Sequence, residues 1–339
     1  MSRIKRIAPS TLSFITTHRC TSSCPNCCFN CSPAPLNRKE MTRCEMREYI
    51  SQSIQAFPNI GMVIFTGGEC TLLKEDLLDA IQFASKHGLA TRVVTNGHWA
   101  KTDESTDEMI NKLVAAGLTE INFSTGDEHV QYVPLDRIIR AVKKCAENTA
   151  FASVVINIEG AIGNRINKKT IMSSPAISSL PKETKRKIIC LQSIWIPFRK
   201  RNPENTSQNR TGKRINADSH KGCAAVLNSI NINPNGQFLS CCGLSSEYSP
   251  FLKLGQVQNN IEALHDLRFD DIMKIWLYTA GPLNILKKIG GDIGDGNKHM
   301  CEYCLELFMN KHNLERLLNI DSDEINNILL DYSLKTSRL

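Results

Sequence analysis

The chain has 339 residues, 41% of them apolar, and a formal net charge of +7. That length supports one large domain plus a smaller one, and the composition excludes a disordered chain. Met1 to Pro9 carries Arg3, Lys5 and Arg6 without a following apolar signal core, and no apolar run is long enough to cross a bilayer, so a cytoplasmic protein without a membrane partner is expected. In that setting the 14 cysteines argue for metal binding or catalysis rather than a disulfide framework.

In chain order, β-type runs are expected at Leu12 to Thr17, Met62 to Thr66, Ala90 to Thr95, Glu120 to Ser124, Ser153 to Glu159 and Leu191 to Phe198. Amphipathic helices are expected at Arg43 to Ala56, Lys74 to Lys86, Asp107 to Ala116 and Leu135 to Glu147, with a fifth near Lys182 to Ile188. Strands joined by helical crossovers make a parallel sheet, and a run such as Val154, Val155, Ile156 suits a strand covered on both faces. The fold class is therefore α/β, an open barrel of about six βα units with its functional loops at one rim.

Directly after the first strand stand Cys20, Cys24 and Cys27 at C-x3-C-x2-C spacing. A cubane iron–sulfur cluster normally takes four thiolates, so three on one short loop leave an iron corner open for a small molecule. The competing reading is a zinc knuckle completed by Cys28 or Cys31. The second strand runs into Phe65-Thr66-Gly67-Gly68-Glu69, where paired glycines permit close backbone approach and a carboxylate can accept from an ammonium group. The third ends in Thr95-Asn96-Gly97-His98-Trp99 and the fourth in Ser124-Thr125-Gly126-Asp127-Glu128-His129, polar ends that suit a ribose.

These motifs resemble those of the radical S-adenosylmethionine (SAM) enzymes. The resemblance implies a partial (β/α)6 TIM-like barrel, a [4Fe–4S] cluster on Cys20, Cys24 and Cys27, and SAM chelating the open iron. It implies that Gly67, Gly68 and Glu69 hold the SAM amino group and that Asn96, Ser124 and Asp127 contact SAM, Asp127 at a spacing that departs from the commoner Ser-x-Asp form. A second departure is Asn26, which stands where the family has an aromatic residue before the third cysteine.

Between Ala161 and Lys221, 14 Lys or Arg face three acids, a local balance of +11 that leaves −4 for the remainder. Such a run is either a solvated face or a surface for an acidic partner, a peptide leader or a nucleic acid backbone. Its aromatic residues, Trp195 and Phe198, fall in the expected sixth strand, which weakens the nucleic acid reading.

Past this segment come Cys223, a hairpin with Asn235-Gly236 at its turn, the pair Cys241-Cys242, and Cys301-x2-Cys304 opening a helix. Spacing alone leaves zinc and a second cubane equally open. Beside a radical SAM core, however, this arrangement resembles the SPASM and shortened twitch modules, which implies an auxiliary [4Fe–4S] cluster on Cys223, Cys241, Cys301 and Cys304. Residues 1–220 then form the barrel, with an insertion at about 161–221, and 221–339 a small auxiliary domain of hairpin and helices. Cys242 is left over, either as a small buried hydrophobe or as a hydrogen-atom donor.

The combined set resembles the radical SAM peptide epimerases of epipeptide biosynthesis. What this implies is reductive cleavage of SAM to a 5′-deoxyadenosyl radical, abstraction of a peptide Cα hydrogen, and quenching by Cys242 to give a D-residue. The implied partners are a ribosomally made precursor peptide and a reducing electron donor of flavodoxin or ferredoxin type. With nineteen residues before Cys20, no separate leader-binding domain is expected ahead of the barrel. The alternatives are a radical SAM peptide cyclase forming thioether or carbon–carbon crosslinks and, more remotely, a zinc-stabilised nucleic-acid-binding protein.

Overall fold

The structure is a computed structural model that describes residues 4–160, 164–193, 195, 222–294 and 298–337. The chain divides into two compact units, one of Phe14–Ser51 and Gly61–Ile215, the other of Met1–Ser13, Gln52–Ile60 and Asn216–Leu339. The division groups Met1–Ser13 and Gln52–Ile60 with the last third, where the sequence pattern had joined them to the barrel.

The first unit is the α/β part. Its strands are β1 (Thr11–Ile15, whose last two residues lie here), β2 (Met62–Thr66), β3 (Ala90–Thr95), β4 (Glu120–Thr125), β5 (Ser153–Glu159) and β6 (Ile188–Ser193), in the spatial order β6-β5-β4-β3-β2-β1. Pairing from β2 to β6 is parallel, with Phe65 opposite Val93, Phe123 opposite Ile156 and Ile156 opposite Cys190. Crossovers are α1 (Arg43–Ala56), α2 (Glu75–Lys86), α3 (Asp103–Ala115) and α4 (Leu135–Glu147), followed by the short α5 (Lys168–Met172), α6 (Pro175–Ser178) and α7 (Lys182–Arg186). Val154, Val155, Ile156 and Ile158 of β5 are all buried, as a strand covered on both faces requires. In α4 the buried residues Ile138, Ile139, Val142 and Cys145 recur at three and four residue steps, the stripe that lays a crossover helix on a sheet. The expected α/β parallel sheet is therefore present.

β1 runs Thr11–Ile15 where Leu12 to Thr17 was expected, other ends shift by a residue or two, and two starts move by three or four. α3 begins four residues before the expected Asp107, because Thr102 accepts from the Ser105 N–H while Ser105 reciprocates to the Thr102 N–H in a capping box. β6 starts at Ile188 rather than Leu191, since Ile188 and Ile189 pair with Val154 and Val155 and continue the apolar register. The expected fifth helix stops at Arg186 accordingly. Trp195 thus lies past the end of the sixth strand, edge-on to His129 at 5.3 Å, while Phe198 and most of the basic segment lie outside the described residues.

The second unit holds an antiparallel ribbon, β7 (Ser229–Ile232), β8 (Gln237–Leu239) and β9 (Lys253–Gln256). Its first turn is the expected Asn-Gly hairpin, with Gly236 at φ 72° and Asn233 Oδ1 accepting from the N–H groups of Asn235 and Gln237. The helices are α8 (Ala225–Asn228), α9 (Leu244–Tyr248), α10 (Ile261–Asp266), α11 (Ile272–Thr279), α12 (Pro282–Lys288), α13 (Met300–Met309), α14 (Lys311–Leu318) and α15 (Ser322–Thr336). Leu227, Leu283, Leu286, Tyr303 and Leu307 form the centre of a core to which α8 and α11 to α15 all contribute. The N-terminal residues are tied to it, Lys5 Nζ donating to the Thr336 carbonyl at 3.0 Å and the Tyr332 hydroxyl donating to the Lys5 carbonyl.

His265 of α10 is 2% exposed, its ring 4.7 Å from Phe57 and 5.3 Å from Phe269. Burial, aided by the charge of Arg268, pulls its pKa down from 6.5 to about 3. The folded chain thus holds this imidazole neutral where the unfolded chain protonates it, so stability is present above pH 6.5 and is lost as pH falls toward 3. At pH 4 the loss is about 3 kcal/mol at 1.36 kcal/mol per pKa unit. Urea unfolding at pH 7 and pH 4 should show it, and a His265→Phe variant should flatten the profile; an equal slope in both proteins would contradict this account.

Among the described residues no helix is long and apolar enough to cross a membrane.

Candidate functional site

The chain leaving β1 is clamped before it reaches the first cysteine. Thr16 N–H donates to the Thr66 carbonyl at 2.8 Å, Gly68 N–H to the Thr17 carbonyl at 2.6 Å, and Glu69 N–H to the Arg19 carbonyl at 2.9 Å. Only glycine permits this: a Cβ at Gly68 would stand 2.1 Å from the Arg19 carbonyl oxygen, and one at Gly67 would stand 2.5 Å from that of Thr17. The close approach that paired glycines allow is thus made here to the backbone that leads into Cys20.

The cysteine loop is pinched at its neck, with Cys20 N–H donating to the Ser32 carbonyl at 2.9 Å and Ser32 N–H to that of His18 at 3.3 Å. Arg19 adds a two-pronged contact to Glu40, at 2.6 Å from Nε and 3.1 Å from Nη2. Inside the loop, Cys27 N–H donates to the Cys24 carbonyl and Cys31 N–H reaches the Cys27 sulfur at 3.3 Å. Cys20 and Cys24 are buried and Cys27 is half-buried. Burial first, then the charge of Glu69, pushes the Cys20 thiol up to about 12; burial, then the charges of Cys20 and Cys27, does the same for Cys24. The three sulfurs therefore lie within each other's field, and they ionise together only when a cationic centre offsets that repulsion. Among the described residues no three ligand-type side chains converge as a single bound ion would need. A cubane takes each thiolate on a separate iron and needs no such point.

Glu69 is fully buried, and its carboxylate is already spoken for. One oxygen accepts from the hydroxyls of Thr71 at 2.6 Å and Thr95 at 2.7 Å and from the Thr71 N–H at 3.3 Å, the other from the Asn96 N–H at 2.7 Å. The side chain joins β2, the turn Cys70–Leu73 and the end of β3, and the oxygen that accepts from Asn96 keeps room for a further donor. Asn96 is likewise engaged: its amide donates to Thr21 Oγ1 at 2.9 Å and Ser22 Oγ at 3.3 Å and lies 3.6 Å from the Cys20 sulfur. Asp127 uses both oxygens on the backbone N–H groups of Arg165 and Ile166, at 3.1 and 2.9 Å. It anchors the loop after β5. Ser124 is half-buried in β4, opposite Asn157.

Glu159, which the sequence reading did not single out, stands beside the loop with Asn26 and His129. Glu159, 1% exposed at the end of β5, accepts from the Asn26 amide and from the Glu128 N–H, and its Cβ occupies the space that a side chain at Gly126 would need. Asn26 thus ties the cysteine loop to β5, which accounts for the missing aromatic residue. His129 places Nδ1 3.3 Å from the Cys24 sulfur; burial lowers its pKa to about 4, and its Nε2 is buried without a partner, as is the hydroxyl of Thr125. Unpaired buried polar atoms at the β4 end suit a polar ligand. The signal for Glu159 was a carboxylate closing an otherwise apolar strand.

In the second unit, Cys223 follows Gly222, whose missing side chain lets it lie against the carbonyls of Tyr278 and Thr279, and Cys223 N–H donates to Leu277 at 2.8 Å. Cys241 follows β8, and its sulfur accepts from the Gly243 N–H at 3.4 Å. Cys301 and Cys304, three residues apart in the first turns of α13, share a helix face. A Cβ at Gly243 would stand 3.2 Å from the Cys301 sulfur and 3.5 Å from that of Cys241. Burial pushes Cys223 up to about 12 with Cys241 adding to it, and raises Cys301 with the charges of Cys241, Cys304 and Cys223. The sulfurs of Cys241 and Cys301 thus both lie against Gly243, while Cys304 shares the α13 face with Cys301. Cys242 has an exposed side chain, yet desolvation, then the charge of Cys241, still pushes its thiol up to about 11.

Residues 14–160 match the family model of the radical SAM superfamily, and this part of the chain is a radical SAM domain. Over 126 residues the chain is 25% identical to YydG of Bacillus subtilis (strain 168), described as a peptide biosynthesis protein, a match covering 36% of this chain and 38% of that one. The chain thus spans well under half the length of this relative. Two structures of anSMEcpe with bound AdoMet share its fold, the native protein with a TM-score of 0.52 and 12% identity over 95% of this chain and 99% of that one, the histidine-tagged protein with 0.51 and 11% over 96% and 99%.

Proposed function

We propose that this protein is a radical SAM enzyme that inverts L-residues of a ribosomally made precursor peptide to their D-forms. The radical SAM domain implies SAM and a [4Fe–4S] cluster, and the donor set fits both. Cys20, Cys24 and Cys27 would hold the cluster, the Gly67-Gly68 backbone would receive the amino group of SAM, and Ser124 with the unpaired Thr125 and His129 atoms would meet the nucleoside. Asn96, Glu69 and Asp127 act as positioning residues in this reading. Cys223, Cys241, Cys301 and Cys304 would hold an auxiliary [4Fe–4S] cluster. Bound together, SAM and the first cluster supply hydrogen-atom abstraction from a Cα, and the protein's part is to orient the peptide and keep water out.

The observation that carries the epimerase reading is the exposed Cys242 thiol next to the buried Cys241. Its S–H bond breaks as a new Cα–H bond forms on the opposite face, leaving a sulfur radical that one electron from a flavodoxin- or ferredoxin-type donor and one proton restore. Similarity to a protein described as acting in peptide biosynthesis supports a peptide substrate. Incubation in heavy water with a candidate precursor peptide should add one deuterium per D-residue, with Cys242→Ala losing the D-product while still consuming SAM. A product two hydrogens lighter, or full turnover by Cys242→Ala, would overturn the reading.

A further inference from the structure

Arg268 is 0% exposed, the largest side chain in the described chain to be fully buried. Its Nη1 donates to the carbonyls of Ser229 at 2.7 Å and Val226 at 3.3 Å, and its guanidinium lies over the Phe238 ring at 5.1 Å. Val226 and Ser229 follow Cys223 by three and six residues, and Phe238 precedes Cys241 by three, so the guanidinium is gripped by both cysteine-bearing segments. Nε and Nη2 have no hydrogen-bond partner, and among the described residues no carboxylate forms an ion pair with Arg268. A buried cation left in this state costs several kcal/mol unless a counter-charge arrives.

We infer that Arg268 is the counter-charge of the group held by Cys223, Cys241, Cys301 and Cys304, and that it raises the reduction potential of that cluster. This rests on the auxiliary-cluster reading above. A cubane with four thiolates is a dianion that becomes a trianion on taking up one electron, so a fixed cation nearby favours the reduced form. The Gly243 N–H to the Cys241 sulfur works in the same direction.

The test uses the full chain with Cys20, Cys24 and Cys27 all replaced by alanine, leaving the second site as the only one to load. After anaerobic reconstitution, iron and sulfide are assayed and the cluster is titrated with dithionite under electron paramagnetic resonance. Loss of all iron and sulfide from this chain would refute the auxiliary-cluster reading itself, and the inference with it. With the cluster present, Arg268→Gln and Arg268→Met should lower the reduced-to-oxidised ratio at fixed potential at least about tenfold, or about 59 mV for one electron, while Arg268→Lys stays near the parent. A normally loaded cluster whose titration curve does not move in the neutral variants overturns the inference. Should those variants fail to fold, 15N-arginine labelling of the parent decides it: coupling of the reduced cluster to a labelled nitrogen, lost in Arg268→Lys, is the expected result, and its absence is the refutation.

Discussion

Replacing Cys24 by alanine is expected to remove one cubane's worth of iron and sulfide and to abolish reductive cleavage of SAM, with the second cysteine group still loaded. Cys24 is buried, in charge contact with Cys20 and Cys27, and buttressed by His129, so the loop holds this thiol against the other two. Changes to residues that merely support a metal ligand cost about 10–100-fold, and loss of the ligand itself should exceed that range. Cys301→Ala is the matching control, giving up the other cluster while SAM cleavage continues. Purified chain containing zinc and no acid-labile sulfide would refute the assignment at its root.

Gly68→Ala should be the most disruptive single methyl group in the first unit. Its Cβ would lie 2.1 Å from the carbonyl oxygen and 2.7 Å from the carbonyl carbon of Arg19, and both atoms belong to backbone that cannot rotate away. The end of β2 must retreat, giving up the hydrogen bonds from Gly68 to Thr17 and from Glu69 to Arg19. Overpacking of about 1–3 kcal/mol plus two hydrogen bonds of about 1 kcal/mol each should lower the melting temperature by roughly 6–20 °C at about 2–4 °C per kcal/mol. Gly61→Ala, with nothing within 4 Å of the added atom, should leave it nearly unchanged. Equal melting temperatures for the two variants would show that the clamp between the strand ends does not bear on stability.

Much of the fold is legible because burial writes itself as periodicity. β2, β3 and β5 and the helices α1 and α4 have the expected bounds, since alternation or an apolar stripe marks every residue of each. Periodicity fails where an element begins on polar residues: the first turn of α3, Asp103 to Thr106, buries only Thr106, and its start is written in the Thr102 cap instead. The cysteine spacing announced the first site because a loop must supply its ligands locally. The partners of that loop were hidden, because Asn26 and Glu159 meet across 133 positions and no local pattern records such a pair. Glu69 was legible as a motif but not in its role, which depends on Thr71, Thr95 and Asn96 converging on one carboxylate.

The clasp at Arg19, Ser32 and Glu40 ties the two ends of the cysteine loop to each other, because main-chain hydrogen bonds and a charged contact shut the ring of chain that carries Cys20, Cys24 and Cys27. A change at Arg19 is therefore felt by all three thiols together rather than by one of them.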